Sequence, residues 1–207
     1  MNSTADQPDL EQLRREIASG DPLRAMPALA KLRDVNANQA APLLLIGSRQ
    51  QPFLVRSLSC SGLGVKRTEE GWQRLQELLH RDEDPNVRAE AANALASYGV
   101  ERSWPLLREA FHGDNAWLVR CSILSALAEQ EMIDPNWLLE LAEIAVGDAD
   151  GTVRVSGAEV LGLLLVQGKD TSVSPPARIL LQGLQKDVDY RVVAAALNGL
   201  QNPARRP

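Results

Sequence analysis

The apolar residues of this chain return in short helical bursts separated by acidic breaks that carry proline or glycine. Within 69–99, Trp72, Leu75, Leu78 and Leu79 recur at helical spacing and the run HRDEDP at 80–85 interrupts them. Val87, Ala91, Ala92 and Leu95 then fall on one face of a second helix, because steps of four residues advance only about 40° around the axis. Asp84 is placed to cap that helix, Pro85 suits its first turn, and Gly99 suits a left-handed stop. The pattern predicts an antiparallel helix pair of about thirty residues.

The same pattern returns along the whole chain, marked by an apolar residue followed by arginine. Val55-Arg56, Val87-Arg88, Val119-Arg120 and Val153-Arg154 are the regular copies, with Leu23-Arg24 as a first and Tyr190-Arg191 as a last, so the anchors step by 32, 32, 32, 34 and 37 residues. First helices are predicted over 8–18, 38–48, 69–80, 102–112, 134–146 and 175–185, and second helices over 22–33, 52–65, 85–98, 115–129, 150–167 and 188–201. A fixed period of this size means stacked helix pairs that present extended binding surfaces. The expected organisation is a flexible N-terminus at 1–7, a single repeat domain at 8–201 and a tail at 202–207. The segment 167–177, with Gly168, Lys169, Asp170 and Pro175-Pro176, reads as the mobile loop between the last two repeats.

Composition narrows the function classes. Hydrophobic residues make up 44% of the 207 and aromatics only 4%, so the core is built from Leu, Ala, Val and Ile. The net charge of -5 disfavours a nucleic-acid backbone as partner. No stretch is apolar enough for membrane insertion, and the polar N-terminus has no apolar export signal, so a cytoplasmic location is expected. Cys60, Cys121, His80 and His112 have no metal-ligand spacing; no metal is expected, the thiols read as buried, and the histidines as helix C-terminal residues.

The charged and polar residues near the anchors have two readings. Asp82, Asp114 and Asp148 stand five residues before an anchor, and Asp84, Asp150 and Asp187 three before, each set close to the anchor arginine. With Arg56, Arg88, Arg120 and Arg154 they are expected to form a structural ladder between repeats rather than an anion-binding strip. Three and six residues beyond the anchors stand Ser61, Glu90, Asn93, Ser122, Ser125, Ser156 and Glu159, on the face turned from the core; Leu58 breaks the row. Small side chains there would leave a shallow groove. Trp72, Trp104 and Trp137 share one register of the first helices and read as seams between repeats, whereas Trp117 lies at an inter-helix turn and reads as a contact residue. The first helix is polar around Leu10, Leu13 and Ile17, as a terminal cap requires, while the last places Val193 and Ala196 in the row, so Val193 and Leu197 become a candidate C-terminal interface.

The segments DEDPNVRAEAANALASYG at 82–99, GDNAWLVRCSILSALAE at 113–129, GDADGTVRVSGAEVLGLL at 147–164 and DVDYRVVAAALNGL at 187–200 resemble HEAT repeats, in particular those of the phycobilisome lyase HEAT-like family of cyanobacteria. The resemblance implies an all-α, right-handed α-solenoid of about six HEAT-like pairs whose second helices line a concave side. It offers two functions. One is a non-enzymatic scaffold, adaptor or chaperone-like subunit that binds another protein in the groove and needs no cofactor. The other is a subunit that attaches, isomerises or detaches a phycobilin on a phycobiliprotein, together with a second HEAT-like subunit and with the bilin as a transient cofactor. The family supplies no compact catalytic motif, so no catalytic residue is assigned.

Overall fold

The computed structural model describes residues 9–167 and 172–201. The expected N-terminal segment 1–7, the tail 202–207 and the centre of the expected loop lie outside the described residues. Among the described residues there are twelve α-helices and no strand: α1 Leu10–Ala18, α2 Pro22–Lys31, α3 Ala37–Gly47, α4 Phe53–Lys66, α5 Glu69–Arg81, α6 Pro85–Ala96, α7 Val100–Gly113, α8 Trp117–Ala128, α9 Pro135–Ala145, α10 Gly151–Gln167, α11 Ser174–Leu184 and α12 Tyr190–Gln201. The predicted helices stand within two residues of these bounds. The part of the expected loop at 174–177 is helical: Pro175 and Pro176 occupy the first turn of α11, where a missing N–H leaves no bond unmade.

The helices begin and end for local chemical reasons. Asp84 accepts a hydrogen bond from the Asn86 N–H at 2.8 Å, and Asp134 does the same for Asn136 at 2.9 Å, satisfying donors that a helix start leaves unpaired. Beyond α6, Gly99 takes φ +110°, a conformation from which a Cβ is excluded.

The chain divides into two compact units, 1–103 and 104–207, with the division inside α7. In the first, α4 packs against α6 and each pairs with the helix before it; in the second, α10 packs against α12, α8, α9 and α11. Two close approaches set the helix separation. A Cβ at Gly64 would lie 2.9 Å from the Ala94 Cα, and one at Gly162 would lie 3.0 Å from the Gly199 Cα. Small residues are therefore required where one second helix crosses the next.

Both end copies of the anchor are out of register in the sequence reading. Leu23 is 86% exposed and the core position in α2 is Ala25. Tyr190 is 81% exposed, whereas Val192 is fully buried, as are Val55, Val87, Val119 and Val153. The last anchor is thus Val192, and Val193 stands where the other copies have arginine. Gly162 and Gly199 agree with this register: they lie nine residues after Val153 and seven after Val192, the offsets of Gly64 from Val55 and Ala94 from Val87.

Candidate functional site

The anchor arginines grip in two directions. Backward, Nη1 of each donates to carbonyls of the turn preceding its own helix: Arg56 to Gln50 and Gln51, Arg88 to Asp82 at 2.9 Å and Glu83 at 3.2 Å, Arg120 to Asp114 at 2.8 Å, and Arg154 to Asp148 at 2.9 Å and Ala149 at 3.1 Å. Forward, Arg56 forks onto Asp82 at 2.8 and 2.9 Å. Arg120 reaches Asp148 with Nη2 at 3.1 Å; its Nε is 2.9 Å from Oδ2 but lies out of line for a hydrogen bond. Arg154 forks onto Asp187 at 2.8 and 2.9 Å. Each aspartate is fixed in turn by a backbone N–H two residues on, Asp84 to Asp82 at 3.0 Å, Asp150 to Asp148 at 2.8 Å and Asp189 to Asp187 at 2.8 Å.

Asp187 therefore belongs with Asp82, Asp114 and Asp148, five residues before the anchor, and not with the capping residues Asp84 and Asp150. The bond from Arg154, with that from the Asp189 N–H, holds the Asp187 carboxyl below the usual range. The same pairings hold the Arg56 and Arg154 guanidiniums above their ordinary value. Among the described residues Arg191 pairs only with Asp189 of its own turn, at 2.7 Å, and its own side chain is exposed. Sequence reasoning did not find the backward grip on carbonyls, which leaves no residue-type signal.

The polar row is distributed over both units. In the first unit Ser61 on α4 and Asn93 on α6 are exposed and Glu90 is half-buried. In the second, Ser125 and Glu159 are exposed while Ser122 and Ser156 are half-buried on α8 and α10. The structure brings three of these four together. Ser125, Ser156 and Glu159 line a groove of about 290 Å³ with Leu124, Ala128, Glu129, Val160 and Leu163. Ser122 does not line it. Glu129, ten residues beyond its anchor, does, and the row offsets did not reach it. On α8, burial pushes the Cys121 thiol upward, partly offset by Ser156 of α10. In the corrected register the last repeat contributes Ala195 and Asn198 to the row, and Ala196 is buried in the core.

The remaining candidates separate by exposure. Trp104 and Trp137 stack with ring centres 4.8 Å apart, and Trp72 packs against Tyr98 at 5.3 Å beneath the Arg102 guanidinium, 4.0 Å from its ring. The Trp104–Trp137 stack joins the first helices of successive repeats, and Arg102 of α7 reaches Trp72 of α5, so these rings lie at seams between repeats, with Trp72–Tyr98 the contact within one. Trp117 is 47% exposed at the start of α8. Cys60 is fully buried, and burial pushes its thiol up to about 12. His80 and His112 are exposed in the last turns of α5 and α7, with His112 3.9 Å from Glu140. On the last repeat Leu197 is exposed and Val193 is half-buried, and Ile179, Val188 and Tyr190 of the same repeat are also exposed.

Fixed-period helix pairs welded by an arginine–aspartate ladder and carrying a groove on the second helices define a helical-repeat protein. Residues 40–128 match the family model described as HEAT repeats, and this stretch consists of such repeats. The Escherichia coli protein YibA is similar in structure, with TM-score 0.67 and 18% identity over 93% of this chain and 70% of that one. An engineered protein has TM-score 0.56 and 21% identity over 95% of this chain and 99% of its own. The complex of CpcE and CpcF of phycocyanin lyase from Nostoc has TM-score 0.41 and 18% identity over 93% and 98%. The first two likenesses, at these identities, show a shared fold and nothing more. No curated protein matches the sequence significantly. No helix among the described residues is long and apolar enough to cross a membrane.

Proposed function

We propose that this chain is a non-enzymatic protein-binding scaffold whose working surface in the second unit is the groove between α8 and α10. The observation that supports this most is the convergence of Ser125, Ser156 and Glu159 over an apolar floor, on helices whose backbones the ladder holds rigid. A rigid concave site loses little entropy on binding, which favours recognition of another folded chain. A volume near 290 Å³ is at the small end for a cofactor site and suits an inserted side chain better than a tetrapyrrole. Handling of a phycobilin is therefore the less favoured reading.

Photo-crosslinking tests the proposal. A crosslinking amino acid at Ser125, introduced in the native cell, should trap one protein, and the same group at Glu143, exposed on α9, should not. Trapping from Glu143 or from Leu197 but never from Ser125 would overturn the groove assignment. A visible-absorbance change on mixing the purified protein with free phycobilin and apo-phycobiliprotein would favour the bilin reading instead.

A further inference from the structure

The groove between α8 and α10 combines an apolar floor with an acidic rim. Ala128 and Leu163 give the floor its accessible apolar surface above the buried Leu124 and Val160, and Glu129, Glu159 and Ser125 are the exposed residues of the lining. No lysine or arginine lines the groove, and neither glutamate makes an ion pair among the described residues. Asp148 and Asp187 of the same unit are held by arginines of the ladder and Glu140 by Arg108, whereas Glu129 and Glu159, like the exposed Glu143 on α9, carry their charge unpaired among the described residues; what sets these two apart is that both line the groove. In the open groove the two free carboxylates are hydrated. An occupant that covers them strips that water, which is unfavourable unless it brings a positive charge to the same place.

We infer that the groove receives a lysine or arginine side chain of the partner protein, with its aliphatic stem along Ala128 and Leu163 and its charged head beside Glu129 and Glu159. Long basic side chains have the required division into an apolar stem and a charged tip. The groove is of side-chain size, and its charge rejects an acidic side chain of the same length. This inference rests on the groove being the protein-binding surface and adds the chemistry of what enters it.

The test uses the full chain, labelled for amide NMR, and three blocked pentapeptides: Ala-Leu-Lys-Leu-Ala and the same peptide with norleucine or glutamate in place of lysine. The lysine peptide should shift amides within 124–129 and 156–163 saturably below about 10 mM, a range normal for so small a ligand. The norleucine and glutamate peptides should bind at least about fivefold more weakly, and Glu129→Gln with Glu159→Gln should remove that preference. Equal binding of the norleucine peptide, an unchanged preference in the double variant, or no saturable shift would overturn the inference. Crosslinking from Ser125 reports the groove whatever the charge of its occupant, so its result separates failure of this inference from failure of the scaffold reading.

Discussion

Arg154 and Asp187 meet through two parallel hydrogen bonds across 33 residues of sequence, Nε to Oδ2 at 2.8 Å and Nη2 to Oδ1 at 2.9 Å. Both side chains are largely shielded from solvent. The arginine of one repeat thus fixes the turn that opens the second helix of the next, and Arg56 and Arg120 do the same for Asp82 and Asp148.

Because Arg154 depresses the Asp187 carboxyl, the pair stabilises the fold fully above the ordinary carboxylate range, and this contribution is lost as pH falls through the depressed folded value. Asp187→Asn should therefore melt below the parent at pH 7, and the gap should close in acid. Melting curves across that range check it; a gap that persists undiminished at the acid end would show that the charge pair is not its source.

Arg56→Ala should destabilise the protein by about 2–4 kcal/mol, since it strands a shielded carboxylate and two turn carbonyls. Arg191→Ala removes only an exposed pair within one turn and should leave urea unfolding nearly unchanged. Equal effects of the two would contradict the ladder.

The register of the last repeat gives a second contrast. Val192→Ala should cost about 1–3 kcal/mol as a core truncation, and Tyr190→Ala should stay within about 0.5 kcal/mol. Denaturant midpoints measured side by side would decide between the two anchors.

Close packing of second helices predicts that Gly162→Leu destabilises by about 2 kcal/mol or more, because Gly199 backbone occupies the space a side chain needs. Gly183→Ala meets nothing within 4 Å in α11 and should be neutral or slightly stabilising. Thermal unfolding of both variants checks the pair.

Most of the helical organisation was legible because signals reinforce one another along the chain: an apolar face of period 3.6 throughout, acidic breaks in most repeats, and capping aspartates at α2, α6 and α9. The register failed where two disagree. Tyr190-Arg191 imitates the valine-arginine pair, yet Asp187 and Asp189 are spaced like Asp82 and Asp84 and place the anchor at Val192. That aspartate spacing was present in the sequence and is the better guide, since it reflects a fixed turn rather than a replaceable core side chain. The groove was legible only as a row of offsets. Its volume, the entry of Glu129 and the withdrawal of Ser122 depend on how α8 and α10 cross, which no single helix pattern encodes.

The most direct measurement is the affinity of the crosslinked partner for Ser125→Arg, alongside its melting temperature. Ser125 is exposed, so the change should leave melting within about 0.5 kcal/mol of the parent. A bulky cation in the groove should weaken partner binding by about 1 kcal/mol or more. Unchanged binding by Ser125→Arg, with loss of binding in Leu197→Asp, would contradict the account and move the working surface to the exposed apolar face of the last repeat.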